Sequence, residues 1–141
     1  MLRLAESREE IKVVNDQWGV PTHANLLAET TLDLINLATP GFGSDPSRIP
    51  PSGSYHCAPG GETSWFEYAR LVINTAKTAG AAKACKTLTP ILTTEYPTAA
   101  KRPMNSRLDT HKLQAVLGSK LTDWQDEVVA TVHRVLEAQE S

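Results

Sequence analysis

At 141 residues, with 40% apolar and 21% charged side chains, the chain is long enough for one globular domain with a core of its own. A net charge of −2 and a pI near 6.1 exclude the broad basic excess of a dedicated nucleic-acid or membrane-surface protein. No apolar stretch approaches the roughly 20 residues of a bilayer span, and the Arg- and Glu-rich N-terminus lacks a signal-peptide core, so a cytoplasmic chain without nucleic-acid or membrane partners is expected.

In chain order, residues 1–10 set Leu2, Leu4 and Ala5 among charges, the pattern of a helix end and not of a domain start, so a segment is expected to precede it. Ile11–Val14 reads as a strand, broken by the polar turn Asn15-Asp16-Gln17-Trp18-Gly19. Thr22 can cap a helix in which Leu26, Leu27, Thr30, Leu34 and Ile35 form one apolar stripe through about Leu37. Pro, Gly and Ser then predict an exposed, flexible loop over 39–53, and Ser54–Cys57 a short strand.

Ser64-x-x-Glu67 has capping-box spacing, and Trp65, Tyr68, Ala69, Val72 and Ala76 follow on one helical face until Gly80 supplies a left-handed stop. Thr87–Thr93 is β-rich, with Pro90 placing it at a sheet margin. Asp109 can cap a helix carrying Leu113, Val116 and Leu117 up to Gly118. Thr122-x-x-Gln125 opens a last helix with Trp124, Val128, Val132, Val135 and Leu136 on its buried side. Alternating strands and helices indicate an α/β fold, helix-rich in its second half.

The histidines and cysteines show no ligand spacing, so no metal site is expected, and Cys57 and Cys85 read as small buried apolar groups. No glycine-rich phosphate loop or nucleophile elbow is present. Trp65 and Trp124 fall on apolar helix faces and are expected in the core, with Tyr96 a packing residue. Trp18, in a polar turn, can either stack on a ligand ring or cap the core edge, and Gln17 can serve a sugar or simply close the loop.

The segment Lys101-Arg102-Pro103-Met104-Asn105-Ser106-Arg107 gathers three cations and two hydrogen-bonding side chains around a rigid proline. Arginine's planar fork suits phosphate oxygens, so chemistry leaves two readings open: a diphosphate grip, or a solvated basic loop leading into a helix.

Several long strings in series carry a resemblance. Asn15-Asp16-Gln17-Trp18-Gly19-Val20-Pro21-Thr22, Gly53-Ser54-Tyr55-His56, Glu62–Ala69 and Tyr96–Leu108 together resemble the C-terminal half of dTDP-4-dehydrorhamnose reductases, in order and spacing along nearly the whole chain. The resemblance implies a Rossmann-type extended short-chain dehydrogenase/reductase, of which residues 1–141 would be the substrate-binding C-terminal part, with the cofactor-binding N-terminal part absent. It implies reduction of dTDP-4-dehydro-L-rhamnose to dTDP-L-rhamnose by NADPH or NADH, with a dTDP-sugar as the partner of this chain and no cofactor expected to bind it alone.

The family's glycine-rich turn and Tyr-x-x-x-Lys pair precede the matched region, so no catalytic residue is assigned here. By the resemblance Arg102 would contact the diphosphate, Asn105 would be a neighbouring polar contact and Gln17 would face the sugar, while Lys101 and Arg107 would supply field. Carboxylates that hold magnesium between subunits in some members correspond to Asn25 and Arg134, neither an anionic ligand. The alternative is a non-catalytic binding or regulatory module on the same fold. Apolar surface on the Ile11–Val14 strand and on at least two helices, left without its sheet, is expected to invite self-association.

Overall fold

A helix with clear start and stop signals organises the structure, a computed structural model that describes residues 1–39, 49–96 and 98–140. In this helix, α3 (Trp65–Thr78), the Glu67 N–H donates to Ser64 Oγ at 3.1 Å, the first half of the expected capping box. The Glu67 carboxylate pairs one turn onward with Arg70. At the far end Gly80 takes φ +83°, which lets its N–H reach Lys77 O and the Ala81 N–H reach Ala76 O, satisfying two terminal carbonyls. Ala69, Val72, Ile73 and Ala76 form the buried face between these ends.

That face meets a two-stranded parallel sheet. Strand β1 (Glu10–Val14) pairs with β4 (Thr87–Ile91), Ile11 opposite Leu88 and Val13 opposite Pro90. Parallel strands need a long crossover, and α3 lies within it. Among the described residues β4 has a partner on one side only, in keeping with the margin position expected from Pro90. Ile11 and Val13 are 5% and 6% exposed, so the strand expected to lie bare is covered, by α3 and the rest of the core.

Helix α1 (Leu2–Ser7) adds Ala5 to this core, and Cys85, also buried, donates its N–H to Ala5 O. Both cysteines are free thiols; Cys57 is half-buried. Helix α5 (Trp124–Glu140) contributes Trp124, Val128 and Val132, as expected, while Val135 is exposed. Its predicted Thr122–Gln125 box does not form. Thr122 donates instead to Glu127 Oε1 at 2.8 Å, and the helix start is clamped by Gly60, which donates to Thr122 O and accepts from the Trp124 N–H.

Helix α2 (Ala24–Ala38) is capped by His23 and not by Thr22: His23 Nδ1 accepts from the Asn25 N–H at 3.0 Å, while the Thr22 hydroxyl turns back to Val20 O. Its stripe is only partly used. Leu26 and Thr30 are buried and Leu34 is half-buried, whereas Leu27 and Ile35 are exposed, as is Leu32 off the stripe. Helix α4 (His111–Leu117) starts one residue later than an Asp109 cap would put it, yet Asp109 still accepts the His111 N–H at 2.9 Å. That bond first, and then the His111 Nδ1 2.7 Å from Asp109 Oδ1, hold the Asp109 carboxyl below the usual carboxylate range. Leu113 is fully buried and Gly118, at φ +71°, ends the helix.

Ser54–Cys57 is not a strand. Side chains hold it instead: the Tyr55 hydroxyl donates to Pro51 O, and Lys112 donates to Ser54 O while lying 4.2 Å from the Tyr55 ring centroid. Most of the 39–53 loop expectation, and Pro97 of the Tyr96–Leu108 string, fall outside the described residues.

Candidate functional site: a cleft beside a three-segment ribbon

Strand β2 (Trp18–Gly19) joins the two loops singled out in the sequence. On one side it pairs antiparallel with β3 (Thr63–Ser64), Trp18 opposite Ser64. On the other, the Trp18 N–H donates to Met104 O at 2.8 Å, and Trp18 O accepts from both the N–H and the hydroxyl of Ser106, at 2.8 and 3.0 Å. A parallel bridge between Trp18 and Asn105 completes the arrangement. Gly19 permits it, because a Cβ there would lie 2.6 Å from Ser106 Oγ.

Polar side chains tie this ribbon to the core. The Ser64 hydroxyl donates to Asn15 Oδ1 at 2.6 Å while capping α3. Asp16, just beyond β1, accepts the Thr93 N–H on both carboxylate oxygens (3.0 and 3.1 Å) and the Thr93 hydroxyl at 2.6 Å. That hydroxyl bond first, and then the backbone one, hold the Asp16 carboxyl below the ordinary aspartate range. Gln17 donates from Nε2 to Thr93 Oγ1 at 3.1 Å.

Within the basic loop the cations separate into two kinds. Arg107 is a brace: its N–H and Nε both donate to Asn105 Oδ1, at 3.1 and 2.9 Å, and Nη1 pairs with Glu62. It therefore fixes the loop against the segment before β3, a role beyond the field contribution expected of it. Asn105, its acceptor oxygen occupied, has its amide NH₂ to offer a ligand. Arg102 and Lys101 are exposed and form no hydrogen bond or ion pair among the described residues.

A cleft of about 80 Å³ lies along the ribbon, lined by Gln17, Gly19, Thr63, Trp65, Tyr68 and Ser106. Trp65, expected in the core, is 54% exposed. As the first residue of α3 it precedes the turns that meet the sheet, and it stands edge-on to Tyr68 with ring centroids 6.0 Å apart. Tyr96, expected to pack, is 56% exposed, and Trp18 is exposed as well. The structure thus brings Gln17 and the Asn105 loop together across β2. Sequence reasoning missed Thr93 and the Glu62–Arg107 pair, which join positions 76 and 45 residues apart and leave no local signature.

A larger cleft of about 460 Å³ opens between α1, the Pro21–His23 segment, α3 and α5, walled by Leu2, Val72, Val128 and Val132. At its edge Arg134 Nη1 lies 3.5 Å from His23 Nε2, so a cation stands near the Asn25 turn. Among the described residues no three His, Cys, Asp or Glu side chains cluster as a metal site.

Beside the parallel β1–β4 pair and its crossover, this loop-built cleft defines the helix-rich, substrate-binding portion of an extended short-chain dehydrogenase/reductase fold. The chain belongs to the family described as the RmlD substrate binding domain, whose model matches residues 1–137. It is 46% identical over 125 residues to a dTDP-4-dehydrorhamnose reductase of Shigella flexneri, covering 89% of this chain and 40% of that protein. The namesake from Burkholderia thailandensis is 36% identical over 138 residues, covering 96% and 45%. The chain thus spans 40–45% of the length of these curated relatives.

Among solved structures, a dTDP-4-dehydrorhamnose reductase from Clostridium acetobutylicum superposes with a TM-score of 0.72 at 29% identity, over 96% of this chain and 41% of that one. The Bacillus anthracis enzyme, in complex with NADP, gives 0.68 at 28% identity, over 93% and 40%.

Proposed function

We propose that this chain is the nucleotide-sugar-binding part of a dTDP-4-dehydrorhamnose reductase, which holds dTDP-4-dehydro-L-rhamnose while a nicotinamide cofactor reduces it to dTDP-L-rhamnose. The observation that carries the reading is the ribbon, in which β2 seats Gln17 next to the Met104–Ser106 segment and leaves Arg102 with its guanidinium uncommitted nearby in sequence. Arg102 grips the diphosphate with its planar fork, the Asn105 amide donates beside it, and Gln17 faces the sugar.

Reduction delivers hydride to the sugar's carbonyl carbon and a proton to its oxygen. In this reading both come from the part of the complete enzyme that lies before these residues, with NADPH, or NADH, as the hydride source. The residues here do not fit a dinucleotide. Strand β1 runs into Asp16, whose Thr93 bonds favour the anionic form, where a pyrophosphate would need glycines and a helix N-terminus. The chain alone therefore binds without turnover. We place it in the cytoplasm, without nucleic-acid partners; among the described residues no helix is long and apolar enough to cross a membrane.

Titration of dTDP into the protein and into Arg102→Ala tests the reading. Loss of a charge-assisted contact is expected to weaken binding about tenfold or more. Equal affinity for both proteins removes Arg102 from the site.

A further inference from the structure

A hydroxyl carries one hydrogen, and in Thr93 that hydrogen is already assigned. Thr93 Oγ1 stands 2.6 Å from Asp16 Oδ1, and a carboxylate can only accept, so the hydrogen points there. Asp16 is kept anionic by these same bonds and by the Thr93 backbone N–H. Toward Gln17, 3.1 Å away, Thr93 Oγ1 can then only accept. The Gln17 group that meets it must be the NH₂, and Oε1 is turned away from Thr93 with no donor reaching it among the described residues. An amide whose two ends differ only by a flip is thus fixed by its network. Gln17 is half-buried and lines the ribbon cleft with Ser106 and Trp65.

The geometry points to Asp16 and Thr93 as a positioning pair that locks the Gln17 amide, taking up one of its two N–H groups and holding Oε1 open to a hydroxyl donor on the sugar ring. A diphosphate presents only acceptors and would find no partner in Oε1. The inference rests on the nucleotide-sugar reading above, and it assigns to that site the discrimination between the sugar and the rest of the ligand. Neither Asp16 nor Thr93 touches the ligand; both act through Gln17.

The test compares calorimetric titrations of dTDP-L-rhamnose and of dTDP into the protein, Thr93→Val, Thr93→Ser and Asp16→Asn. Valine removes the acceptor that holds the amide, and is expected to weaken dTDP-L-rhamnose about fivefold while leaving dTDP within twofold; serine keeps the hydroxyl and the affinity. Asp16→Asn can donate to Thr93 Oγ1, freeing the threonine hydrogen for Gln17 Oε1 and reversing the amide. The same sugar-selective loss is expected there, which decides the matter should the valine variant not fold. Unchanged sugar affinity in both variants overturns the inference, as does an equal loss for both ligands, which would mark a merely structural role. Binding of neither ligand by the unsubstituted protein overturns the nucleotide-sugar reading itself, and the inference with it.

Discussion

Helices α2 and α3, of 15 and 14 residues, each carry an apolar face in the sequence, the sharper one on α3, and meet opposite fates. α3 buries four residues on one face against β1 and α5, whereas α2 buries Leu26 and Thr30 and leaves Leu27, Leu32 and Ile35 in solvent. Periodicity specifies that a helix has a face; it does not supply what covers it. For α3 the cover lies within the chain, because a parallel strand pair needs a crossover that packs on it. For α2 no such partner lies among the described residues, and Leu27 and Ile35 stay exposed.

The sharpest way to break this contrast is to substitute each face in turn. Ile73→Ala, at a position 2% exposed, should cost about 2–4 kcal/mol in urea unfolding through lost contacts and a residual cavity. Ser64→Ala should cost about 1–2 kcal/mol, since it removes the α3 cap and the donor to Asn15 together. Leu32→Ser and Ile35→Ser on α2 should stay within about 0.5 kcal/mol in the same assay while reducing self-association in sedimentation. A loss there as large as that of Ile73→Ala would mean that α2 is packed in solution and would end the contrast.

The smallest effect concerns the link at the ends of β1 and β4. Asp16 has a folded pKa below its unfolded one, so the stability it contributes is present above the ordinary aspartate range and is lost as pH falls through the depressed value. The melting-temperature difference between the protein and Asp16→Asn should therefore be full at pH 6 and shrink in acid below pH ~4. A difference that persists unchanged at pH 2 would remove the carboxylate charge from the explanation.

Much of α3 was legible because its signals are local: Ser64, Glu67 and Gly80 act within a turn of where they stand. Strand β1 was legible from its β-branched run, although its cover was not. Trp65 was misread because a residue at the first helical position shares the sequence spacing of the buried face without sharing its depth. His23 displaced Thr22 as a cap because an imidazole nitrogen can do what a hydroxyl does, which propensity alone ranks low.

The site divides the same way. Gln17, Arg102 and Asn105 came from strings that resemble a family, and the ribbon sets the Gln17 and Asn105 segments side by side. No periodicity announces a strand of two residues such as Trp18–Gly19, and its pairing with Asn105 is purely a matter of the fold. Thr93 lay in an ordinary β-rich run, and only its neighbours in space make its hydroxyl directional.

The β1–β4 pair has a consequence for the order of events during synthesis. Glu9 and Lys86, which meet at its edge, are 77 residues apart. At about 5–20 residues per second a ribosome needs roughly 4–15 s to produce that interval, far longer than a helix takes to form. Throughout it the edge of Ile11 and Val13 that β4 will cover is unpaired, a ready template for a neighbouring polysome product. High contact order thus becomes a period of vulnerability whose length is set by translation and not by folding.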